Sequence, residues 1–127
     1  MITAAAESGS APYVQTITIR HHQVITDEGE EHGAADTGPT PSELLLGALA
    51  SCMAVTVQMY ARRKEWPVTH VRVEVSGRDE QGTYVIERRV SLDGDLTDEQ
   101  RTRLLDIAGR CPVSRRLTTG VTIRAAA

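Results

Sequence analysis

The 127 residues predict an α+β domain in the order ββαββααβ, and three observations carry that expectation. Short stretches near both ends and in the middle alternate apolar and polar residues with period two, the mark of half-buried strands. A long uncharged stretch, residues 44–61, follows a helix-start signal at Thr40-Pro41. Two further helix starts, at Thr97 and at Cys111-Pro112, come after the second pair of strands.

Residues 1–12 are small and polar and read as a frayed end of one single domain, 1–127. Tyr13 to Arg20 alternates as a strand. A turn near His21-His22 returns the chain as Val24-Ile25-Thr26. Residues 27–40 form an acidic loop with five carboxylates and no Lys or Arg. Thr40 then suits the N-cap, Pro41 the first helical position and Glu43 the third. Pro67 stops the helix near Trp66. Residues 68–76 and Tyr84 to Leu92 alternate again, with a slip at Thr69-His70, and pair as a hairpin through a turn at Asp79 to Gly82. Thr97 and Gln100 make a capping box for a second helix. Its apolar stripe is Leu104, Leu105, Ile107 and Ala108, and Gly109 ends it. CPVSRRL forms a short third helix stopped by Gly120, and Val121 to Arg124 reads as a last strand.

Composition excludes several classes of function. Apolar residues make up 40% and charged residues 24%, as in an ordinary globular chain. The net charge of −3 lacks the basic balance of a nucleic-acid binder, and one Trp, three Tyr and no Phe leave little to stack on bases. No nucleic-acid partner is expected. The uncharged part of the long helix spans about 27 Å, marginal for a membrane. Its Gly47, Ser51, Thr56, Gln58 and alanines argue against insertion, so no membrane partner is expected either. A helix apolar on nearly every face is normally buried, and a chain this short can hardly enclose it. A dimer that covers the helix from both sides is the simpler solution.

The chemistry rests on two cysteines, Cys52 and Cys111. The N-terminus has neither a basic n-region nor an apolar h-region, so a reducing cytoplasm is the expected compartment. Cys52 lies inside the long helix, and Arg20 is the one cation in the first 61 residues. Cys111 precedes Pro112 at a helix N-cap, where backbone N–H groups, Arg110 and Arg115 favour a thiolate. Each cysteine also reads as a structural residue, an apolar core thiol or a cap. Together they suggest a dithiol that cycles through a disulfide. His21, His22 and His32 match no metal-ligand spacing and read as solvated loop residues. No cofactor or metal is implied.

These motifs carry a resemblance. The run GPTPSELLLGALASCMAVTVQMYARRKEWP resembles the central helix of the OsmC/Ohr family, and CPVSRRL, beginning 59 residues after Cys52, resembles its second cysteine segment. The likeness covers about residues 14–126. It implies an OsmC-like fold: an intertwined homodimer with two long helices buried between sheets from both chains. It also implies a peroxiredoxin-type thiol peroxidase acting on organic hydroperoxides in oxidative-stress defence, re-reduced by an external thiol or dithiol. Carried over, Cys52 is the peroxidatic cysteine and Cys111 the resolving one, with Glu43 and Arg20 as candidates for the carboxylate and guanidinium that activate the thiolate. The family's Glu lies ten residues before the cysteine, which falls on Ser42 here. Glu43 is one residue off, a turn of ~100° around the helix. The alternative reading is an OsmC-fold dimer without significant peroxidase activity, binding a small molecule or sensing redox state.

Overall fold

A computed structural model describes residues 1–126. The chain divides into two compact units, Met1–Leu45 and Leu46–Ala127. In the first, β1 (Ala5–Ser8), β2 (Gln15–Ile19) and β3 (His22–Thr26) form one antiparallel sheet in the order β1-β2-β3. β1 corrects the expectation of a frayed end. Its residues are fully exposed and carry no apolar pattern, so the strand exists through main-chain pairing with β2, Ala5 opposite Thr18 to Ser8 opposite Gln15. The β2–β3 turn is Arg20-His21, with Arg20 left-handed at φ 55°.

The acidic loop is more ordered than its composition suggests. Asp27 is buried, and its carboxylate accepts the Glu28 N–H at 2.8 Å, the Thr37 N–H at 3.0 Å and the Thr37 hydroxyl at 2.7 Å. The Thr37 hydroxyl bond, then the two backbone bonds, hold Asp27 below the usual carboxylate range, against the opposing effect of burial. Asp27 N–H also bonds the Pro39 carbonyl at 3.1 Å, so one residue ties the two ends of the loop.

The helix α1 spans Pro41–Lys64. Thr40 and Glu43 form the reciprocal cap that the sequence promised: Glu43 N–H to Thr40 Oγ1 at 3.1 Å and Thr40 N–H to Glu43 Oε1 at 2.9 Å. At the other end Glu65 turns left-handed, φ 59°. Its N–H bonds Arg62 O and the Trp66 N–H bonds Ala61 O at 2.8 Å, a Schellman ending.

In the second unit, β4 (Val68–Glu80) and β5 (Thr83–Gly94) form one long antiparallel hairpin, with the register shift falling between Val68 and His70. Its turn is Gln81-Gly82, both with φ above zero, a requirement Gly82 meets without strain. α2 (Asp98–Ala108) carries the full Thr97/Gln100 capping box, and α3 is Pro112–Thr119. The core is built on residues four apart along α1, Leu49, Met53, Val57 and Ala61, closed by Leu104, Ala108 and Cys111. Val71, Val73, Val75, Ile86, Val90 and Leu92 pack against it from the hairpin.

Two expectations fail here. Leu105 leaves the apolar stripe and is 42% exposed, so α2 buries Leu104, Ile107 and Ala108 alone. Val121 to Arg124 forms no strand, and Val121 and Ile123 are exposed. Alternation marks extended chain, but a strand also needs an edge to pair with, and this segment meets none among the described residues. The order is therefore βββαββαα, still α+β, with three α-helices and two sheets among the described residues.

Leu104 and Val57 are both 0% exposed at the centre of this core. Leu104→Ala should cost about 2–5 kcal/mol, read as a lower urea midpoint at fixed protein concentration, whereas Leu105→Ala should cost well under half as much.

Candidate functional site

The second cysteine segment builds its site from the backbone up. Pro112 occupies the first helical position of α3, where its missing N–H is no loss. Cys111 is therefore the N-cap, and its Sγ accepts the Ser114 N–H at 3.3 Å. The residue is 0% exposed, inside the cluster that α1 and α2 close. Cys52, on α1, packs against the same cluster and is half-buried. The two thiols are neighbours around this cluster, and both are free. The fold thus brings together two sulfurs that lie 59 residues apart in the chain.

The electrostatics of Cys111 differ from the sequence expectation. Burial dominates and pushes the thiol up from its ordinary value. The Ser114 and Val113 N–H groups pull it down, while the neighbouring Cys52 pushes it further up. Arg110, expected to favour the thiolate, is turned to the surface and pairs with Asp106 at 2.8 Å. Burial outweighs the helix terminus because the sulfur sits in an apolar cluster, not at a solvated cap.

The other two candidates belong to the first unit. Arg20 is exposed at the β2–β3 turn and enters no ion pair among the described residues. Glu43 is exposed, and one of its carboxylate oxygens is engaged by the cap of α1. Sequence reasoning passed over Tyr60. Its hydroxyl accepts Arg103 Nε at 3.0 Å, its ring faces Arg63, Lys64 and Arg103, and it meets Trp66 edge-on at 5.6 Å. The Arg103 bond lowers the Tyr60 phenol below its ordinary value. A tyrosine two residues before the basic run Arg62-Arg63-Lys64 was the available signal.

A raised Cys111 pKa has a readable consequence. The thiolate fraction at neutral pH falls, so native Cys111 should react with iodoacetamide more slowly than the unfolded chain. Its rate should still be climbing at pH values above about 8.5, where an ordinary thiol is half ionised. Mass spectrometry of peptides alkylated across a pH series checks this. A midpoint at or below the ordinary value would contradict the burial argument.

Comparison with known proteins follows the same outline. The family model described as OsmC-like protein matches residues 33–126. No curated protein matches the sequence. Among solved structures, the OsmC-like protein from Mycoplasma pneumoniae superposes with a TM-score of 0.73 at 22% identity, over 93% of this chain and 86% of that one. The organic hydroperoxide resistance protein OhrB of Bacillus subtilis gives 0.62 at 21% identity, over 91% and 88%. An organic hydroperoxide resistance protein OsmC from Legionella pneumophila gives 0.65 at 18% identity, over 92% and 88%. At such identities the structures share the fold, and with a family model covering most of its length, this chain belongs to the OsmC-like protein family.

Proposed function

We propose that the protein is a cysteine-dependent peroxidase that reduces organic hydroperoxides in the cytoplasm. The observation that carries this reading is the pair of free, neighbouring thiols around one apolar cluster, one half-buried and one fully buried. In the first step the Cys52 thiolate attacks the terminal oxygen of ROOH. The O–O bond breaks, sulfur keeps the oxygen as sulfenic acid, and the alkoxide takes a proton and leaves as alcohol. In the second step the Cys111 sulfur attacks the Cys52 sulfur. A disulfide forms and the hydroxyl leaves as water. An external dithiol reduces the disulfide by exchange. The relatives named for organic hydroperoxide resistance support the substrate class.

In this reading Arg20 supplies the guanidinium that favours the Cys52 thiolate and Glu43 is its carboxylate partner. The chain acts as a single domain of an obligate homodimer. The support is α1 itself: Leu45, Val55 and Met59 are exposed, and an 18-residue stretch of the helix with a mean hydropathy of 1.7 has 22% of its residues buried within one chain. A specific observation favours the second reading, a binding or redox-sensing dimer. Ser42 stands ten residues before Cys52, and the carboxylate beside it already serves the helix cap.

Stoichiometric cumene hydroperoxide should consume both thiols and yield a Cys52–Cys111 disulfide within one chain. Cys111→Ser should stop at a sulfenic acid trappable by dimedone, and Cys52→Ser should leave the peroxide untouched. Retention of both thiols would favour the binding reading. Sedimentation velocity should give a dimer down to micromolar protein, and a folded monomer there would rule out the obligate assembly.

A further inference from the structure

Position 88 breaks the pattern of the apolar sheet face. Ile86, Val90 and Leu92 of β5 face the core with Val71, Val73 and Val75 of β4. Alternation puts residue 88 on that same face, opposite Val75, and it is an arginine. Water can reach this residue, so its charge is solvated and open to a further partner. No ion pair among the described residues includes Arg88. The carboxylates next along the two strands, Glu74 and Glu87, belong to the opposite face of the hairpin and pair with Arg72 at 3.0 Å and with Arg78 at 2.8 Å. The Arg88 guanidinium lies against Gly109, where an added Cβ would stand 3.0 Å from its Nη2. It also borders a cavity of about 180 Å³ walled by Leu49, Met53, Ile86 and Leu117, with Ser114 and Thr118.

We propose that this cavity binds a short-chain aliphatic carboxylate, with the acid group on Arg88 and the chain along the four apolar side chains. Guanidinium and carboxylate match as a two-bond fork, which an alcohol cannot form, and the apolar walls favour an acid that carries an aliphatic tail. An apolar cavity of about 150 Å³ holds a benzene-sized molecule, so 180 Å³ suits a chain of about six carbons. Arg88 is exposed, so its charge is reachable from solvent. The site is separate from the thiols and does not rest on the peroxidase reading. It adjoins Cys111 through Ser114, which lines the cavity and donates its N–H to Cys111 Sγ.

Titration calorimetry of the intact protein with hexanoate, beside 1-hexanol and hexylamine, tests the proposal. Hexanoate should bind once per chain, and should shift the Ser114 amide resonance. Arg88→Gln should weaken it by about tenfold or more, with Arg88→Lys in between. Leu117→Trp, which fills the cavity and leaves Arg88 in place, should also abolish binding. Circular dichroism establishes that each variant is folded. Undiminished hexanoate binding in folded Arg88→Gln, equal binding of 1-hexanol, or no binding of millimolar hexanoate to the natural chain would each overturn the assignment.

Discussion

The second unit depends on one contact, the closing of the Leu49–Met53–Val57–Ala61 row of α1 against Leu104 and Ala108 of α2 and against Cys111. These side chains recur every four residues, so they form a narrow ridge along the helix, not an all-round apolar surface. Each is nearly or wholly removed from water. At about 25 cal/mol per Å² of apolar surface, a ridge of this kind supplies the main drive for seating α2 and the segment after it. Arg101 fixes the other side of α2 by donating to the Leu92 carbonyl at 2.7 Å and the Gly94 carbonyl at 3.0 Å. With both ends of α2 held, the Gly109–Pro112 connection has little freedom, and Cys111 is delivered to α1.

The same ridge divides α1 into two faces. Leu49 and Met53 look toward the hairpin and α3, while Val55 and Met59 lie on the far side, exposed. The exposed face has the composition of a core without a cover, and in the most apolar 18-residue stretch of α1 22% of the residues are buried within one chain. An apolar helix face this large is stable in water when another surface covers it. The proposed dimer rests on that requirement.

Much of this architecture was legible from residue types. Thr40-Pro41, Glu43 and Pro67 bracket α1 because capping and proline geometry act locally, and the Thr97/Gln100 box fixes α2 for the same reason. The slip in the first long strand was visible at Thr69-His70 as a break in alternation. β1 was not legible, since its AAES residues contribute backbone pairing and no side-chain pattern. The Val121–Arg124 segment shows the converse, a pattern without a partner edge. Asp27 escaped notice because its partner Thr37 is ten residues on, across an acidic loop. In the site, the two cysteines were legible by position, but the raised Cys111 thiol was not: the cap motif argues for a thiolate, and burial, helped by the neighbouring Cys52, outweighs it. Arg88 was within reach of the strand pattern, as the one charged member of Tyr84, Ile86, Arg88, Val90 and Leu92.

The asymmetry between the two thiols orders the proposed chemistry. Cys111 is fully enclosed, so a solvent-borne peroxide meets the half-buried Cys52 first. Burial, and to a lesser degree the neighbouring Cys52, raises the Cys111 thiol, while the N–H groups at the α3 terminus pull it the other way. In the proposed cycle the enclosed sulfur is therefore kept from solvent-borne oxidants, and it meets an electrophile only when Cys52 beside it has reacted.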